Sequence, residues 1–217
     1  SLKKLISAKI VITKFVLANQ LLPWFVVKFA HKLNYKPVCL VRHPITTCIS
    51  QLKTFHKMDT ENFFKSLNSS EKFLIPNSLF AERFNEHLTF INALESKMEQ
   101  QIAVWCINNA NLFNHTCSDK WITVFYEDIV KSPLSETANL FNTMGVDYDY
   151  NKLAQYDFIK PSKSNFFKQY NSNSETQLEG YLNQFSKEQL QRIQTIFDHF
   201  NFRIYSAFNA YPIIKKG

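Results

Sequence analysis

Glycine is scarce in this chain: its 217 residues include only Gly145, Gly180 and Gly217. None lies between a strand and a helix, so the sequence shows no glycine-rich phosphate loop. No aspartate is placed to hold Mg²⁺ either, which removes the support for a P-loop kinase. The four cysteines, Cys39, Cys48, Cys106 and Cys117, form no C-x-x-C pair and no His/Cys metal spacing. That excludes zinc-ribbon and thioredoxin-like chemistry and leaves reduced structural thiols, with no metal expected. A long apolar run is also missing. Ile10 to Ala30 is the most apolar stretch, but Lys14, Asn19, Gln20, Pro23 and Lys28 interrupt it, so no transmembrane segment is expected. The leading Leu2-Lys3-Lys4-Leu5-Ile6 has no small-residue cleavage site, which argues against a signal peptide and for a cytoplasmic location.

What is present is a chain of globular character, 45% hydrophobic and 20% charged, with a formal net charge of +7. The length suits a single domain over residues 1–217. The positive balance favours phosphate or sulfate esters, acidic glycans, anionic membranes or nucleic acid without choosing among them. The lysines are scattered and no nucleic-acid reader motif occurs, so no nucleic-acid partner is expected.

Three short, nearly continuous apolar runs read as covered parallel strands: Lys9 to Thr13, Pro37 to Val41 and Ile122 to Tyr126. Leu21 to Leu33 suits a crossover helix between the first two, with Pro23 in its first turn. Further helices are expected from Pro44 and across Leu79 to Asn114. Another runs from Pro133, capped by Ser132, to Gly145. The last follows a capping box made by Ser186 and Gln189, with Leu190, Ile193, Phe197 and Phe200 on its core stripe. Tyr156 to Glu179 has no periodicity and reads as a long loop. In parallel sheets of this kind ligands bind beyond the carboxyl ends of the strands.

At one such end the sequence reads Arg42-His43-Pro44-Ile45-Thr46-Thr47-Cys48-Ile49-Ser50. An arginine beside a helix N-terminus is an anion site, because unpaired first-turn amides and a guanidinium fork both donate to phosphate oxygens. Thr46 and Ser50, four apart, put hydroxyls on one face of that helix. The plain alternatives are an ion pair for Arg42 and a solvated hydroxyl for Ser50. At the other strand end, Tyr126-Glu127-Asp128-Ile129 offers a flat ring on which a base could stack. Glu127 and Asp128 read as carboxylates that position the next turn.

The Arg42, Pro44, Ser50 spacing at the end of a buried strand resembles the 3′-phosphate motif of the PAPS-dependent sulfotransferases. Tyr126-Glu127-Asp128 is similar to that family's Tyr-Glu-Asp segment, and Ile102 to Trp105 to the tryptophan helix before it. The resemblance implies an α/β fold of three layers, with a central parallel sheet flanked by helices in a P-loop NTPase-like sulfotransferase architecture. It implies PAPS (3′-phosphoadenosine 5′-phosphosulfate) as co-substrate and a small-molecule or glycan acceptor. Arg42 and Ser50 would hold the 3′-phosphate and Tyr126 the adenine. Three features depart from the family pattern. Its N-terminal phosphosulfate loop is not found, so an incomplete N-terminus is expected. Lys14 matches the lysine of a Lys-x-His pair, but Val16 stands where the histidine would be, leaving His43 as the histidine to test as a base. The late Arg-Lys-Gly contact is missing, with Lys163 or Lys168 as its substitute. A sulfotransferase-like protein that binds nucleotide without catalysis stays open beside the enzyme.

Overall fold

The computed structural model describes residues 12–15, 18–54, 79–158 and 178–213. The element order begins with a 3₁₀ turn at Asn19–Leu21 and helix α1, Leu22–Phe29, whose Pro23 sits at the start. There the missing amide costs nothing. Strand β1 covers Val38–Val41, and helix α2 covers Pro44–Thr54. Of the strand expected at Lys9 to Thr13, residues 9–11 lie outside the described residues; Ile12 and Thr13 are exposed and not in a strand. Ile12 is 91% exposed, so it lacks the burial that would favour a covered strand there.

Helix α3, Leu79–Asn92, and helix α4, Lys97–Phe113, occupy the long region expected to be helical. The break is written into the chain. Ser96 accepts from the Glu99 amide at 3.2 Å, and the Glu99 carboxylate reaches back to the Ser96 amide at 3.1 Å. This reciprocal box satisfies two donors that continuing the helix would have satisfied otherwise, so a new N-terminus forms there. Glu99 also accepts from Arg192 at 2.7 Å, which fixes the start of α4 against the last helix. Strand β2, Ile122–Phe125, then leads directly into the short helix α5, Tyr126–Lys131.

Helix α6, Pro133–Met144, starts and stops where proline and glycine place it, and Gly145 takes the left-handed φ of 68° that closes it. The Ser132 side chain makes no cap bond there, so the proline's fixed φ sets the start. Helix α7 is Tyr150–Ala154. Helix α8, Lys187–His199, begins with the Ser186–Gln189 box and buries Leu190, Ile193, Ile196 and Phe197.

The strands β1 and β2 pair in parallel with Val38 opposite Ile122 and Val41 opposite Phe125. The connection between them runs through α2, α3 and α4, as parallel pairing requires. Among the described residues the sheet has these two strands in a helix-rich α/β arrangement. Helices α2 and α8 both pack on α4. Ile102, Ala103, Cys106 and Ile107 of α4 are buried at helical spacing, and each large side chain so covered contributes roughly 1.5–3 kcal/mol. One face of β1 is barer than a covered parallel strand: Cys39 and Val41 are buried, but Val38 is 40% and Leu40 59% exposed. The four cysteines are free thiols, three of them buried. Among the described residues, no helix is long and apolar enough to cross a membrane.

Candidate functional site

The parallel register brings the carboxyl ends of β1 and β2 level, since Val41 faces Phe125. The next residues, Arg42 and Tyr126, therefore leave the sheet side by side. The Arg42 guanidinium lies over the Tyr126 ring, 4.7 Å from its centre, a cation–π contact that also holds the guanidinium plane. Its Nε donates to Thr46 Oγ1 at 3.1 Å, and that hydroxyl in turn donates to the His43 carbonyl at 3.1 Å. Thr46 thus spends its hydrogen within the protein and orients Arg42 from the first turn of α2. Among the described residues no carboxylate forms an ion pair with Arg42. Among the described residues its two terminal amino groups have no hydrogen-bond partner, so their donors can serve a ligand.

Beneath this pair lies a buried network. The His43 amide donates to Glu127 Oε1 at 2.8 Å, and the Tyr205 hydroxyl donates to Glu127 Oε2 at 2.6 Å. Glu127 therefore ties the turn after β1 to the turn after β2 and to the C-terminal segment, which matches a carboxylate that positions a turn. Burial raises its carboxyl above the ordinary value, offset by the Tyr205 and His43 hydrogen bonds. Burial likewise raises the Tyr205 and Tyr181 hydroxyls, with the Glu127 charge adding to it.

His43, the histidine to test as a base, is fully buried. Its Nδ1 accepts from the Ile45 amide at 3.2 Å, which leaves Nε2 as the protonated nitrogen facing the Ser206 carbonyl at 3.1 Å and Tyr181 Oη at 3.3 Å. Burial pushes its pKa down to about 4, so the ring is neutral near pH 7. The first turn of α2 is accordingly less open than the sequence suggests. Pro44 has no amide and Ile45 gives its own to the His43 ring, so of the first three residues of α2 Thr46 alone keeps an amide with no partner among the described residues.

The structure brings Arg42, Thr46, His43 and Tyr126 together. Ser50 lies one helical turn beyond Thr46, on the exposed side of α2. Lys14 is exposed in the short stretch before α1, and Lys163 and Lys168 lie outside the described residues. The parts that sequence reasoning missed are Tyr205, Tyr181 and Ser206. They meet Glu127 and His43 across 78, 138 and 163 positions, and no local pattern marks them. Among the described residues no cluster of three or more His, Cys, Asp or Glu could hold a metal.

No family model matches the chain, and no curated protein matches it. A solved structure, the sulfotransferase domain from the curacin biosynthetic pathway, is similar to this chain at 17% identity with a TM-score of 0.47. The match covers 93% of this chain and 65% of that one. The likeness is coarse, and a functional reading has to stand on the residues at the two strand ends.

Proposed function

We propose that the two strand ends form the 3′-phosphate and adenine site for PAPS, and that the chain serves sulfuryl transfer to a hydroxyl or amine acceptor. The observation that supports this is Arg42: half-buried, without a carboxylate partner among the described residues, braced by Thr46 and laid on the Tyr126 ring. A guanidinium so fixed matches the two-oxygen face of a phosphate monoester, and Tyr126 offers an aromatic surface beside it. Ser50, by its motif position, adds a hydroxyl to the same phosphate, and Lys163 a charge from the segment after α7. The three-layer sulfotransferase architecture and a single domain belong to the same reading.

Bound PAPS supplies an activated sulfuryl group whose sulfur–oxygen bond breaks as the acceptor oxygen or nitrogen attacks sulfur; the bisphosphate leaves with the electron pair and a base takes the acceptor proton. This chain's residues contribute positioning and charge, by analogy with phosphoryl transfer. Arg42 holds the donor. Glu127 fixes the His43 amide and with it the turn that carries Arg42. His43, neutral and with both ring nitrogens engaged, shapes that turn and is not poised to take a proton. The engagement of His43 favours a second reading, nucleotide binding without transfer; release of adenosine 3′,5′-bisphosphate from PAPS in the presence of acceptors distinguishes the two.

The test is calorimetric titration with adenosine 3′,5′-bisphosphate. Arg42→Ala is expected to weaken binding by about 1.5–3 kcal/mol, the worth of a charged hydrogen-bond partner. Arg42→Lys should recover only part of that, because an ammonium keeps the charge and loses the fork. Equal affinities for the wild type and Arg42→Ala would remove the assignment.

A further inference from the structure

The sequence pairs none of its histidines, yet the fold brings two of them into contact far from the strand ends. His87 on α3 and His199, the last residue of α8, lie 112 positions apart with Nδ1 of the first 3.0 Å from Nε2 of the second. Both rings are held by aromatic neighbours. Phe90 stacks on His199 with centroids 3.7 Å apart and planes within 4°, and Phe200 meets the His87 ring at 4.7 Å. The His199 side chain is exposed and His87 is half-buried, so the pair is open to solvent on one side.

We propose that His87 and His199 form a two-imidazole site for a divalent transition-metal ion of tetragonal preference, Cu²⁺ or Ni²⁺, which clamps α3 to α8. At a metal–nitrogen distance of ~2.1 Å, two nitrogens 3.0 Å apart subtend about 90° at the ion. That is the cis angle of square-planar and octahedral centres, whereas a tetrahedral ion needs a separation of ~3.4 Å at the same bond length. Imidazole nitrogen suits both ions, and the order of intrinsic affinities places Cu²⁺ above Ni²⁺. No third His, Cys, Asp or Glu completes the group among the described residues, so water fills the remaining positions.

Without metal, one hydrogen lies between the facing Nδ1 and Nε2. When the ion binds, that hydrogen moves to the other nitrogen of its own ring, so that both facing nitrogens offer a lone pair to the ion and no net proton is lost. The Phe90 stack limits what ordering His199 costs, since one ligand is already fixed in plane.

Titration of the full-length, untagged chain with CuCl₂ and with NiCl₂, each alone, tests the site. His87→Phe and His199→Phe keep an aromatic ring in each place and remove its nitrogens. Tight binding of one equivalent is expected, with Cu²⁺ ahead of Ni²⁺. Each variant should weaken it by about ten- to a hundredfold, the loss of an intramolecular second ligand. Electron paramagnetic resonance of the Cu²⁺-loaded wild type should show two imidazole nitrogens on the ion, a readout that does not depend on the variants folding. Binding that survives both substitutions, an ion with fewer than two such nitrogens, or no binding at all overturns the site.

Discussion

Replacing His43 with asparagine removes a titrating ring while keeping a polar side chain beside the Ile45 amide. In the native protein burial lowers the His43 pKa from 6.5 to about 4; the Ser206 and Asn209 carbonyls oppose that shift and the Arg42 charge adds slightly to it. The unfolded chain takes up its proton near the ordinary value, and the native chain only near 4. Between those values unfolding binds a proton, so stability falls as the pH falls, by roughly 3 kcal/mol across the window. Above 6.5 both states are neutral and the dependence disappears. Glu127 works in the other direction: its raised carboxyl contributes stability at low pH that is lost as the pH rises through its folded value. Because His43→Asn retains Glu127, the difference between the two proteins isolates the ring. Urea unfolding followed by tryptophan fluorescence, with buried Trp121 as one reporter, gives that difference from about pH 7.5 to about pH 4.5. Wild type should lose stability relative to His43→Asn by roughly 3 kcal/mol as the window is crossed. Parallel pH curves for the two proteins would refute a buried neutral His43.

Glu127→Ala leaves the His43 amide and the Tyr205 hydroxyl buried without their acceptor and is expected to cost about 3–5 kcal/mol in urea unfolding. Glu127→Gln keeps an acceptor for one and a partner for the other, so its cost should be less than half of that. Gly145→Ala meets no atom within 4 Å of the new Cβ, so only the left-handed φ of 68° opposes it. About 1 kcal/mol and a fall of roughly 2–4 °C in Tm are expected by calorimetry.

The elements that could be read from the sequence are those whose signals are local. Pro44, Pro133 with Gly145, and the Ser186–Gln189 box each act within one helical turn, and the apolar runs at Val38–Val41 and Ile122–Phe125 carry their own burial pattern. The break at Ser96 was equally local, since Ser96 and Glu99 repeat the spacing of Ser186 and Gln189, but apolar residues continue on both sides and conceal it. Arg42 and Tyr126 could be placed at one sheet edge because parallel strands put their carboxyl ends together. Their direct contact, the bonds of His43 to Tyr181 and Ser206, and the Glu127–Tyr205 bond depend on register and on partners up to 163 positions away. No residue pattern encodes those distances. The bare face of β1 is of the same kind, since an apolar strand reads alike whether one or both of its faces are covered.

The central claim is that Arg42 reads a 3′-phosphate on an adenosine nucleotide. The most direct measurement compares adenosine 3′,5′-bisphosphate with adenosine 5′-monophosphate by calorimetry, for wild type and Arg42→Ala. Wild type should prefer the bisphosphate by about tenfold or more, the worth of one charged hydrogen-bonded contact, and Arg42→Ala should lose that preference while binding the monophosphate as wild type does. An unchanged preference in Arg42→Ala would contradict the claim.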